Sequence, residues 1–139
     1  MSWQFDHLAF NTPDGSDLQD AFARLLGLAP GKRPPFPFPG RWLYQQDQAL
    51  VHVLEGQAQE ALSHIAFRST EAAEHVLQRV RDSGFAFQVA RVPEEKVLQI
   101  FVQLPAGVVL ELDVPDAELD LTHDYSRAGG APIALEGEH

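Results

Sequence analysis

The sequence predicts an α+β protein made of two βαβββ modules, and three observations carry that reading. The pentapeptide "DHLAF" at residues 6–10 returns as "SHIAF" at 63–67, which aligns His7 with His64. Segments with strand-like and helix-like patterns follow each pentapeptide in the same order. Laying "QALVHVL" over "GVVLELD" then puts His52 opposite Glu111 at nearly the same offset, so the repeat extends over the whole module and not just over five residues.

In the first module, "WQFDHLAF" is rich in aromatic and apolar residues and stops at the turn formers "NTPDG", as a strand does. "SDLQDAFARLLGL" spaces Leu18, Phe22, Leu25 and Leu26 as a helix would, with Ser16 or Asp17 as N-cap and Gly27 as its stop. "APGKRPPFPFPGR" holds half of the ten prolines, each of which removes a ladder donor, and is at best an edge strand or an extended loop. "RWLYQQ" and "ALVHVLE" are short strands joined through Asp47 and Gln48. The second module repeats the order: "ALSHIAF" as strand, "TEAAEHVLQRVRDSG" as helix with Thr70 as cap and Gly84 as stop, then "FAFQVARV", "VLQIFVQL" and "GVVLELDV" as strands. Module one covers 3–55 and module two 61–114, in a single domain over residues 1–114. The acidic tail 115–139 carries Asp116, Glu118, Asp120, Asp124, Glu136 and Glu138 against Arg127.

A chain of 139 residues suits one domain and buries ~68% of the surface its unfolded form exposes, enough for a core without staples. With no cysteine, neither disulfides nor thiolate ligands contribute, and a cytoplasmic protein is the simplest reading. The start "MSWQFDHLAF" has no basic segment leading into an apolar one, and no apolar run reaches the ~20 residues of a bilayer span. A net charge of −10 speaks against nucleic acid as partner.

Strand alternation assigns the faces. Phe5, His7 and Ala9 share one face and Leu8 and Phe10 the other; His64, Ala66 and Arg68 oppose Ile65 and Phe67; Val109, Glu111 and Asp113 oppose Val108, Leu110 and Leu112. The more apolar face of each strand meets its helix, which leaves the imidazoles, Glu111 and Arg68 on the opposite, concave face. Imidazole and carboxylate donors turned into one cavity suit a divalent cation such as Fe(II), Mn, Ni or Zn. Two histidines and one carboxylate leave coordination positions open, as metal catalysis requires. His7, His64 and Glu111 are the candidate ligands. His52, flanked on its face by Leu50 and Leu54, reads equally well as core, His75 reads as a solvated helix residue, and His123 and His139 have no support from the repeat.

The order of elements, the two pentapeptides and the closing "GVVLEL" resemble the vicinal oxygen chelate superfamily, which includes glyoxalase I, extradiol dioxygenases, methylmalonyl-CoA epimerase, fosfomycin resistance enzymes and bleomycin-binding proteins. The resemblance covers roughly residues 3 to 114. It implies a curved, partly open mixed β barrel with outer helices, a metal held by His7, His64 and Glu111 with His52 at the place of a fourth ligand, and a homodimer. Glyoxalase-like members carry a glutamate where this chain has His52, and "LPAGVVLEL" replaces the commoner "DPNGxxxEL" while keeping the glycine and the glutamate. The resemblance implies a metal-dependent enzyme of the glyoxalase or dioxygenase type, in the lyase/isomerase or dioxygenase class, that chelates a small oxygen-bearing substrate; the alternative is a metal-free binding protein of the antibiotic-sequestering kind. The retained ligand set favours the enzyme.

Three arginines are candidate substrate contacts. Arg68 shares the face of His64, and Arg41 and Arg91 begin or end neighbouring strands, so an anionic substrate is expected if they reach the cavity; singly, Arg41 and Arg91 also read as surface residues pairing with the many acids. Alternation puts Trp42 with Tyr44 opposite Arg41 with Leu43. If that face is the concave one, the Tyr44 hydroxyl is a candidate proton donor; the other reading of the two aromatics is core packing.

Overall fold

The computed structural model describes residues 2–92 and 94–118. Its elements run β1 (Gln4–Asn11), α1 (Ser16–Leu26), β2 (Ala29–Gly31), β3 (Gly40–Gln45) and β4 (Gln48–Leu54), then β5 (Ala61–Arg68), α2 (Ala73–Ser83), β6 (Phe87–Arg91), β7 (Val97–Gln103) and β8 (Val109–Pro115). The fold is α+β. Tail residues 119–139 lie outside the described residues.

All eight strands form one mixed sheet in the order β2-β3-β4-β1-β5-β8-β7-β6. The two halves mirror each other about the antiparallel β1–β5 pair, and in each half the first strand pairs in parallel with the last. A helix sits in each of those parallel connections, as a crossover requires. The sheet is open, with β2 and β6 at its edges, and it is strongly curved. Trp42 on β3 and Gln99 on β7 line one small pocket, although five strand spacings of ~4.8 Å would separate β3 from β7 in a flat sheet.

The helices pack unequally. α2 buries Ala73, Val76, Leu77 and Val80 against Phe87, Val89, Leu98, Ile100 and Val102. α1 buries none of its residues: Leu18 and Phe22 rest against Leu28, Leu43, Val51 and Val53, while Leu25 and Leu26 are 81% and 61% exposed. The difference lies in the edge strands beneath them. β6 offers Phe87 and Val89 to its helix, whereas the prolines shorten β2 to Ala29–Gly31 and leave the last turn of α1 without an apolar floor.

Gly27 and Gly84 end the helices in the left-handed conformation, at φ 71° and 78°. The N-termini differ from expectation. The cap positions are Gly15 and Ala72, not Ser16, Asp17 or Thr70, and neither makes a side-chain cap. The turn-forming side chains act earlier: Asp14 Oδ1 accepts from the Ser16 N–H and Ser69 Oγ from the Glu71 N–H, folding the chain before each helix begins. Among the described residues no helix is long and apolar enough to cross a membrane.

Candidate metal centre

The site begins with two interruptions of the central β1–β5 ladder. Phe5 and His7 face Phe67 and Ala66, which leaves Asp6 as an extra residue on β1; Ala9 and Phe10 face His64 and Leu62, which leaves Ser63 as an extra residue on β5. Each bulge immediately precedes a histidine, in equivalent positions of the two modules. A bulge breaks side-chain alternation and re-aims its neighbours. Phe5 is therefore not on the face of His7, as alternation predicts, but packs against Phe67 with ring centres 6.0 Å apart. The bulged side chains lie beside the imidazoles they precede: His7 Nδ1 is 2.6 Å from Asp6 Oδ2, and His64 Nδ1 is 3.0 Å from Ser63 Oγ.

With Nδ1 engaged on each ring, both Nε2 atoms turn inward to meet Glu111 from β8. His64 Nε2 is 2.8 Å and His7 Nε2 3.5 Å from Glu111 Oε1, and the two nitrogens are 3.4 Å apart. All three residues are buried, and Oε1 has no well-aligned hydrogen bond although it lies at the centre of the group. The other oxygen, Oε2, accepts from Gln99 Nε2 at 3.2 Å. Two neutral-capable nitrogens and a carboxylate oxygen converging on one point fit a divalent cation, with Asp6, Ser63 and Gln99 orienting the three groups from behind.

The electrostatics match that geometry. Burial opposes charge on both partners, but each overcomes it through the other. The Glu111 carboxyl is held well below its ordinary value by His7 and by the His64 imidazole 2.8 Å away, which together outweigh burial. For His7, burial pulls the pKa down, yet the Glu111 charge and then Asp6 raise it to about 9. Without metal the centre is thus an imidazolium–carboxylate pair at neutral pH. His52 is the opposite case: burial first, then the His7 charge, hold it well below its ordinary value and therefore neutral.

His52 does not join the group. Its ring stacks on His7 with centroids 3.5 Å apart and 16° between planes, and Trp42 stacks on its far face at 3.9 Å and 10°. His7 would present its Nε2 lone pair to a cation in the plane of its own ring. The parallel His52 ring, one stacking distance away, would not point its own lone pair at the same cation, so His52 would wall the site and leave His7, His64 and Glu111 to hold the ion.

A cavity of about 790 Å³ opens above these residues. Arg68 lines it, with its guanidinium 3.0 Å from Asp6 Oδ1. The structure does not bring the other two arginines there. Arg41 lies on the outer face, reaching Glu55, Gln19 and Ser16 near the start of α1, and Arg91 donates to Asp116 at 2.7 Å. Tyr44 lines the cavity, but its hydroxyl donates to the Lys32 carbonyl and its ring covers Gly31, so its proton is held by the backbone at the rim. His75 is exposed on α2, and His123 and His139 lie outside the described residues. Sequence reasoning missed Asp6, Ser63, Gln99 and the stacking role of Trp42. The signal for Gln99 was a polar residue within the apolar run "VLQIFVQL".

No family model and no curated protein sequence matches the chain. Solved structures do. A hypothetical protein from Bacillus halodurans C-125 superposes with a TM-score of 0.64 at 16% identity, over 86% of this chain and 99% of that one. Methylmalonyl-CoA epimerase from Mycobacterium tuberculosis gives 0.59 at 15% identity, over 82% and 89%. The 2,3-dioxygenase LapB from Pseudomonas sp. KL28 gives 0.64 at 16% identity over 81% of this chain, which spans 40% of the dioxygenase. The fold is that of the vicinal oxygen chelate proteins. In this vicinal oxygen chelate fold, the concave face carries the His7–His64–Glu111 group at the junction of the two modules.

Proposed function

We propose that this protein is a divalent-metal-dependent enzyme of the glyoxalase or dioxygenase type that chelates a small oxygen-bearing molecule on the concave face. The observation that carries the reading is the convergence of His7 Nε2, His64 Nε2 and Glu111 Oε1, three buried donors from three adjacent strands. They would hold the cation, and the donor set suits Fe(II), Mn, Ni or Zn. A bound cation supplies Lewis acidity that polarises a chelated oxygen. The chain's own part is positional. Asp6 keeps a proton on Nδ1 of His7, Gln99 fixes the Glu111 carboxylate, and the Trp42–His52 column closes one side of the site to water. The names of two neighbours, an epimerase and a dioxygenase, favour an enzyme. Reconstitution with each of the four metals, followed by metal analysis, oxygen-uptake and isomerase assays, tests the reading; one ion per chain is expected for at least one metal, and failure to retain any of them overturns it.

Metal uptake carries a pH signature. His7, raised to about 9, must lose its proton to ligate, so binding releases about one proton per ion and apparent affinity rises about tenfold per pH unit up to about 9. In the metal-free protein the sign is the reverse. A raised folded pKa contributes stability that is fully present below the unfolded value near 6.5 and is lost as pH rises through about 9. Chelator competition at pH 6.5, 7.5 and 8.5 checks the first statement and urea unfolding the second; a pH-independent metal affinity contradicts the assignment of His7 as ligand.

The protein is also proposed to be a cytoplasmic homodimer. The sheet has two edges, at β2 and β6, and Leu25, Leu26 and Leu62 stand exposed. Light scattering at micromolar concentration should give twice the chain mass of 15.4 kDa, and a single-chain mass at every concentration removes the dimer.

A further inference from the structure

We propose that the cavity selects oxygen ligands that are neutral or positively charged and rejects anionic ones, with Asp47 and Glu95 at its mouth as the selecting residues. The inference rests on the chelation reading above and names the class of molecule that reading admits.

The lining carries the argument. Its carboxylates are Asp6, Asp47, Glu95, Glu111 and Asp113, and its cationic side chains are Arg68 and Lys96. Arg68 is answered by Asp6 at 3.0 Å and by the Phe5 carbonyl at 3.1 Å, so little of its charge is left for a ligand. Five carboxylates against two cationic side chains and one divalent ion leave the lining short of positive charge even with the metal in place. The surrounding chain, at −10, adds a field of the same sign. The mouth is spanned by these groups: Glu95, in the β6–β7 connection, approaches Tyr44 on β3 closely enough that its charge, after burial, helps push the phenol above its ordinary value. Asp47 sits in the β3–β4 turn on the same rim. The lining also includes the aromatic side chains of Phe36, Trp42 and Tyr44 and the amides of Gln45 and Gln48. Aromatic rings attract cations, and glutamines take neutral hydrogen-bonding groups at no electrostatic cost. An anionic tail would pass two carboxylates and meet in return only Lys96 and an Arg68 already engaged by Asp6, because Arg41 and Arg91 are engaged outside the cavity.

Three probes share one pair of adjacent oxygens and differ in charge: dopamine, 4-methylcatechol and 3,4-dihydroxyphenylacetate. Their binding to the Zn(II)-loaded full chain is measured by calorimetry at low salt without oxygen. Dopamine and 4-methylcatechol should each bind roughly tenfold or more tightly than the carboxylate probe, a gap of the size expected for a charge entering a like-charged, partly solvated cleft. The gap should shrink severalfold at ~0.5 M salt. It should also narrow in the doubly substituted Asp47→Asn, Glu95→Gln chain with Zn(II) content unchanged. Equal or tighter binding of 3,4-dihydroxyphenylacetate overturns the proposal, and a gap that persists in the double variant removes Asp47 and Glu95 as its source. If Zn(II) binds and none of the three probes does, the chelation reading falls and takes this inference with it.

Discussion

Glu111→Gln is expected to lower metal affinity by about two to three orders of magnitude while the protein stays folded. The glutamine matches glutamate in shape, so contact with Gln99 persists and only the charge and the anionic donor are lost. A closed protein zinc site binds with ~10–16 kcal/mol shared among its ligands, so one of three or four supplies ~3–4 kcal/mol, which is the stated loss. The fold survives because His7 is charged mainly on account of Glu111; once the carboxylate is gone, burial returns the imidazole to its neutral form and no stranded ion is left inside. His64→Ala should lose metal to a similar extent, since its Nε2 lies 2.8 Å from the same oxygen. Metal content after dialysis, alongside circular dichroism, checks both. Wild-type metal content in either variant would remove the His7–His64–Glu111 assignment.

Leu77→Ala should destabilise the protein by about 2–5 kcal/mol, whereas Phe22→Ala should cost distinctly less for a larger deletion. Leu77 is 1% exposed and enclosed between α2 and the sheet, so removing its side chain leaves a cavity that packed strands cannot collapse into. Phe22 lies on α1 and is only half-buried against the first module's smaller cluster, so water refills much of the space it vacates. Urea midpoints with unchanged slopes measure both losses. Equal losses would contradict the unequal packing of the two helices.

The same contrast separates what could be read from the chain from what could not. Helix and strand periods, glycine stops at 27 and 84 and the proline-broken second strand are local properties, carried by residues a few positions apart, and the observed elements follow them. The duplication went further, because a repeat that places His7 against His64 and His52 against Glu111 makes their strands equivalent, and strand alternation then turns both imidazoles and Glu111 toward one concave face. The convergence of His7, His64 and Glu111 was legible for that reason. The rest depended on register between strands far apart in sequence. The bulges at Asp6 and Ser63 exist only where β1 and β5 pair, and they alone turn Phe5 away and bring a carboxylate and a hydroxyl behind the imidazoles. Gln99 reaches Glu111 only because β7 lies beside β8. Arg41 stands on the outer face with Leu43, where Glu55 and the start of α1 hold it away from the cavity. His52 shows the limit most sharply. The repeat places it opposite a proposed ligand, but the curvature of the sheet lays its ring flat between His7 and Trp42, and the direction of a lone pair is a property of tertiary packing that no one-dimensional pattern encodes.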